Sequence, residues 1–119
     1  MHRPTVTNLL RGLVLRPETE IFEPLVTSDH FLFEKITSYG HATAAGAWFD
    51  HPRDEWVLLL SGAARLRFDG CDDTVALEPG DSMLIPAHCR HRVEWTKPDC
   101  ESVWLALHFR HTSDEPRRN

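Results

Sequence analysis

The stretch GDSMLIPAHCRHRVEW (80–95) places two histidines, His88 and His91, three residues apart behind a Gly-Asp turn and an Ile-Pro step. Imidazole carries protons near neutral pH and is the commonest metal ligand. The pair therefore reads as two metal ligands, as one ligand and one turn residue, or as two surface histidines. Strand parity narrows this, because side chains two apart in a strand share a face. His91, Val93 and Trp95 share one face, and Arg90, Arg92 and Glu94 share the other. His88 has the wrong parity and follows Pro86, so it belongs to the turn, where it takes an unusual backbone angle or hydrogen-bonds locally. The same test on DHPRDEWVLLLSG (50–62) aligns Glu55 with Val57 and Leu59, which are natural core residues, and with His51 and Phe49 upstream. A carboxylate aimed into an apolar interior is costly unless it is paired or bound to a cation. One carboxylate and two imidazoles thus converge inside one small barrel. Other arrangements remain open at this point: Glu55 at the surface beside Arg53, His51 in an exposed loop beside Pro52, and His91 as a hydrogen-bonded core histidine.

The elements that must position these groups are short strands. FLFEKITS (31–38) is aromatic and β-branched, and EWVLLL (55–60) is a dense apolar run ended by Ser61-Gly62. ARLRF (64–68) alternates and stops at Asp69-Gly70, a hairpin signal. TVALEPGD (74–81), SMLIP (82–86), HRVEW (91–95) and SVWLALHF (102–109) follow, the last apolar on both faces. Turn signals recur every 8–12 residues, which points to an all-β sandwich or barrel. Only residues 17–29 have room for a helical turn, and Pro24 limits it.

The chain has 119 residues, 41% of them hydrophobic, which suits one domain with its own core. The expected organisation is an N-terminal arm or edge strand over 1–14, a barrel over 15–110 and a disordered tail over 111–119. A net charge of -5 gives no reason to expect nucleic acid or an anionic membrane as partner. No apolar run spans a bilayer and no secretory signal is visible, so the expected location is the cytoplasm. Three cysteines, Cys71, Cys89 and Cys100, without CxxC spacing read as free thiols.

The sequence resembles the cupin superfamily. That family's first motif runs G-x5-H-x-H-x(3,4)-E-x6-G, and His51, Glu55 and Gly62 fit its second half in register. Phe49 stands at the first histidine position and Thr43 at the leading glycine. The second motif runs G-x5-P-x-G-x2-H-x3-N; Gly80, Pro86 and His91 match it, with His88 at the inner glycine and Trp95 at the asparagine. The resemblance implies an all-β, double-stranded β-helix (a jelly-roll barrel) with a divalent metal inside, Fe, Mn, Ni or Zn. By position His51, Glu55 and His91 would be the ligands, a two-histidine, one-carboxylate set that suits non-haem Fe(II). Phe49 leaves an open position or calls for another ligand. His41, in the loop before the first motif, is the preferred substitute, and His108, with the parity of Trp104 and Ala106, is a second.

Phe49, Trp95 and Trp48 are the expected substrate-pocket walls. Small cupins commonly pair through edge strands, so the resemblance also implies a homodimer. The function expected is metal-dependent action on a small organic molecule: a dioxygenase first, an isomerase or lyase next, with Glu55 as ligand or general base. The alternative is a non-enzymatic module that binds or senses a small molecule or a metal.

Overall fold

A computed structural model describes residues 3–12 and 16–110. The expected tail over 111–119 and part of the N-terminal arm lie outside the described residues. Eight strands follow in order: β1 (Ile21–Thr27), β2 (Phe31–Ser38), β3 (Asp54–Ser61), β4 (Ala64–Phe68), β5 (Thr74–Leu77), β6 (Ser82–Ile85), β7 (His91–Thr96) and β8 (Ser102–Phe109). They form two antiparallel sheets, one ordered β1-β2-β8-β3-β6 and the other β5-β4-β7. The all-β expectation holds, and no helix among the described residues is long and apolar enough to cross a membrane.

One local expectation is corrected. The segment 17–29 holds no helical turn; β1 occupies most of it, with Pro24 at an irregularity in the β1–β2 register. Proline cannot donate to a ladder, so it is tolerated on this outermost strand and at such a shift. The described arm, residues 3–12, contains no strand, and Val6 and Leu10 are exposed.

Both sheets feed one core. Val57 and Leu59 of β3, Ala64 and Leu66 of β4, Leu77 of β5, Ile85 of β6, and Trp104 and Ala106 of β8 pack together. Each sits at the inward parity of its strand, where burial of a large apolar side chain contributes about 1.5–3 kcal/mol. The order of the larger sheet matters most for function. β8 lies between β2 and β3, so it brings together residues far apart in sequence. Glu55 is directly opposite His108, and Leu32 is opposite His108 from the other side.

Candidate metal and ligand site

Between the sheets, toward the end where β3 begins and β8 ends, is a pocket of about 130 Å³. Its walls are largely apolar, including Phe22, Ile36, Phe49, Val57, Ile85 and Trp104. Its polar groups are Glu20, Glu34, His51, Glu55, His91 and His108. The sequence-predicted trio His51, Glu55 and His91 therefore shares one pocket with Phe49.

Glu55 enters near the start of β3 with the parity of Val57 and Leu59, and is 7% exposed. His91 enters on β7 from the other sheet and is as deeply buried. Its Nε2 lies 3.4 Å from Glu55 Oε1. Its Nδ1–H donates to the Cys89 carbonyl at 2.8 Å. That bond fixes the ring so that Nε2 faces the carboxylate, as a second hydrogen bond orients a metal-ligating histidine. Phe49 is held beside it by a two-way backbone bridge, Phe49 N–H to His91 O at 2.7 Å and His91 N–H to Phe49 O at 3.1 Å. His51 stacks on Phe49 with ring centroids 5.7 Å apart, and its ring lies 5.6 Å from His108 and 6.4 Å from His91.

Two buried groups join the trio. His108 Nε2 is 3.6 Å from Glu55 Oε2 and 3.0 Å from Glu34 Oε1. Glu34 is legible in principle. In FLFEKITS it shares parity with Leu32 and Ile36, so it is a carboxylate on an apolar face, the same signal that singles out Glu55.

The electrostatics follow from this crowding. Burial pushes the Glu55 carboxyl upward, yet the His91, His108 and His51 rings outweigh it and hold Glu55 below its ordinary value of 4.5. Burial also works against charge on His91, but Glu55 and the Cys89 carbonyl hold it above the ordinary 6.5. Glu55 Oε1 is buried and, despite facing His91, has no hydrogen-bond partner of sound geometry. A buried carboxylate oxygen held by a 3.4 Å ion pair but by no well-formed hydrogen bond is incompletely satisfied, and a cation would relieve that. Imidazole and carboxylate donors suit Fe, Mn or Zn. The donor set thus fits a divalent cation in kind. As the side chains stand they close on one another as ion pairs, and among the described residues no group of three or more His, Cys, Asp or Glu is gathered to hold a metal ion.

Three expected site residues lie elsewhere. His41 is not in the pocket; its Nδ1 accepts the Tyr39 N–H at 2.8 Å and its carbonyl accepts the Thr96 hydroxyl. The short Tyr39-Gly40-His41 bend commits the ring to its own backbone. Trp95 is turned away by a bulge. Arg65 pairs with Trp95 but Leu66 pairs with Val93, so Glu94 is the extra residue and parity reverses across it. The Trp95 ring instead lies against Arg65, which is exposed. Trp48 has the parity opposite to Phe49 and packs against the Arg90 and Arg92 guanidinium groups. His88 adopts φ +62°, alone among the described non-glycine residues in that region, and its Nδ1 lies 2.9 Å from Asp50 Oδ1.

The fold is shared with solved structures. A candidate mannose-6-phosphate isomerase from Ralstonia eutropha JMP134 is 40% identical, over 91% of this chain and 100% of that one, with a TM-score of 0.86. A cupin superfamily protein from Desulfitobacterium hafniense DCB-2 matches at 21% identity over 83% of this chain and 84% of its own, with a TM-score of 0.68. A protein from Thermus thermophilus matches at 20% identity, over 90% of this chain and 98% of its own, with a TM-score of 0.71. These last two speak for the fold alone. No curated protein matches the chain. The cupin domain family model matches residues 37–108, more than half of the chain and every strand from β3 to β7, and this chain is therefore a member of the cupin superfamily.

Proposed function

We propose that this cupin binds a small organic molecule in the barrel pocket and acts on it with a divalent cation held by His51, Glu55 and His91. The observation that carries this reading is Glu55, a buried carboxylate aimed into an apolar pocket among imidazoles, one oxygen of which makes no well-formed hydrogen bond and only a 3.4 Å ion pair with His91. When bound, the cation would supply Lewis acidity or a meeting point for O2 and substrate. The residues of the chain do the rest. The apolar walls exclude water and take the carbon skeleton of the ligand. His91, oriented by Cys89, keeps Nε2 toward the reacting centre. Glu55 is deprotonated at neutral pH and would hold the cation; where other groups hold the cation, Glu55 is instead the carboxylate that would accept a proton.

The pocket favours an oxidative reaction of the dioxygenase kind on an apolar substrate, because two histidines and a carboxylate suit non-haem Fe(II). The second reading, an isomerase, is favoured by the 40%-identical relative and its name. It would use Glu55 to move a proton between adjacent carbons. Against a phosphorylated sugar stands the lining itself, which includes three carboxylates and neither Lys nor Arg among the described residues.

The test is metal analysis of untagged protein, followed by oxygen uptake with small diketones, thiols and catechols and by isomerisation of hexose phosphates. The reading expects stoichiometric metal that His91→Ala abolishes, and turnover in one assay. Sub-stoichiometric metal, with His91→Ala changing neither metal content nor thermal stability, would refute it. Stoichiometric metal with ligand binding but no turnover would favour a sensory module. We also propose that copies pair through a sheet edge, since β1 and β6 end the larger sheet and leave Phe22, Val26 and Leu84 about half exposed. Light scattering tests this, and a monomer at all concentrations would exclude it.

A further inference from the structure

We propose that the pocket takes an organic cation, an apolar skeleton ending in an ammonium group, and that Glu20 holds that group at the end of the pocket remote from Glu55. The inference rests on the reading of this pocket as a small-molecule site and names the class of molecule; it does not depend on a bound metal.

The strand register fixes the two ends. Glu34, Ile36 and Ser38 occupy alternate positions of β2, and so share its inner face. Glu34 is opposite Ala106 of β8, Ile36 is opposite Trp104, and Phe22 of β1 is opposite Ile36 from the other side. Glu20 precedes β1, and Ser38 Oγ donates to its Oε2 at 2.6 Å. Glu34 and Ser38 are four residues apart, roughly 13 Å along an extended strand. The pocket therefore runs from the histidines to Glu20 across Phe22, Ile36 and Trp104.

Charge is uneven along this length. At one end Glu34 and Glu55 face imidazoles, although Glu55 Oε1 still lacks a well-formed hydrogen bond. At the other end the partner of Glu20 is an uncharged hydroxyl, and among the described residues no Lys, Arg or His forms an ion pair with it. The carboxylate is nonetheless built in. Ser38 is 0% exposed, and its Oγ accepts the indole N–H of the buried Trp104 at 3.3 Å. A carboxylate has roughly four acceptor sites, so the bond from Ser38 leaves capacity for an ammonium, which only donates. Phe22 and Trp104 line the same end. Aromatic faces stabilise a cation within about 6 Å of the ring centroid, and the apolar walls take the skeleton. An anionic ligand would meet three carboxylates and neither Lys nor Arg in this lining.

The experiment is calorimetry with hexylamine, hexanol and hexanoate, which share a skeleton and differ in charge. It uses untagged protein, as purified and after chelation, so that an amine bound to a metal is not mistaken for one bound at Glu20. Hexylamine is expected to bind at least roughly tenfold tighter than hexanol, as for hydrogen bonds to a charged group, and hexanoate weakest. Glu20→Gln, with folding checked by circular dichroism, should weaken hexylamine by at least roughly tenfold and leave hexanol unchanged. Glu78→Gln removes the same charge from an exposed position and should change neither. Hexanol as tight as hexylamine, a preference for hexylamine that survives in Glu20→Gln, or an equal loss in Glu78→Gln would overturn the ammonium site and leave the small-molecule reading intact. No binding of any of the three would overturn both. Should Glu20→Gln fail to fold, the ranking of the three probes on the wild-type chain decides.

Discussion

Substituting Gly62 by alanine tests what locks the strand of Glu55 to the strand of His108. Gly62 follows β3 directly and has φ +86°, where an L side chain is strained. A Cβ there would meet Ser102 Oγ and would lie 2.6 Å from Ser102 Cα and 2.7 Å from the Glu101 carbonyl oxygen. The last two are backbone atoms at the start of β8 and cannot rotate away. Gly70 supplies the internal control, with φ +85° and nothing within 4 Å of an added Cβ. Gly70→Ala therefore costs the conformational penalty alone, about 1–2 kcal/mol. Gly62→Ala adds the displacement of β8, about 1–3 kcal/mol as for overpacking, for a sum of about 2–5 kcal/mol. In a domain of this size 1 kcal/mol moves Tm by roughly 3–6 °C. Calorimetry on cation-free protein should thus show Gly62→Ala losing at least about 6 °C, and clearly more than Gly70→Ala. Equal losses in the two variants would refute the claim that close approach of β8, rather than backbone angle, demands glycine at 62.

Three further outcomes are expected. In cation-free protein, the stabilisation from His91 is complete below its ordinary 6.5 and is lost as pH rises through its raised folded value. That from Glu55 is present above its ordinary 4.5 and is lost as pH falls through its lowered folded value. The stability difference between wild type and His91→Ala in urea should therefore be largest between these two ordinary values, and a pH-independent difference would contradict the pairing. His88→Gly should stay within about 1 kcal/mol of wild type, since relief at φ +62° offsets the exposed Asp50 contact, whereas His88→Val should lose about 1–3 kcal/mol in thermal unfolding. Trp95→Ala should leave cation and ligand affinity unchanged by calorimetry, while Phe49→Ala weakens ligand binding; a loss in Trp95→Ala would reinstate that ring as a pocket wall.

How far the site is legible in the sequence depends on where parity applies. It applies to a regular strand, so it assigns Glu55 with Val57 and Leu59, and His91 with Val93, to the interior correctly. It fails at a bulge, and nothing in HRVEWT marks Glu94 as the extra residue; the shift is set by pairing with β4. It is also silent in loops, so it gives no sign that the His41 ring turns to accept the Tyr39 amide rather than entering the pocket. The strand limits are legible because Gly, Pro and Asp-Gly punctuate them. The first strand is not, because Pro24 suppresses a pattern that an outermost strand tolerates.

Glu34 and His108 illustrate a different limit. Each has a parity that points inward, yet the two are 74 residues apart and neither falls in a recognisable motif. Their meeting depends on β8 lying between β2 and β3. Parity selects which face a side chain occupies, whereas strand order selects its neighbours, and only the second brings a carboxylate within 3.0 Å of an imidazole. A motif therefore identifies the part of a barrel site carried by neighbouring residues in sequence. In this sheet the strand beside Glu55 is β8, and the side chain directly across from Glu55 is His108.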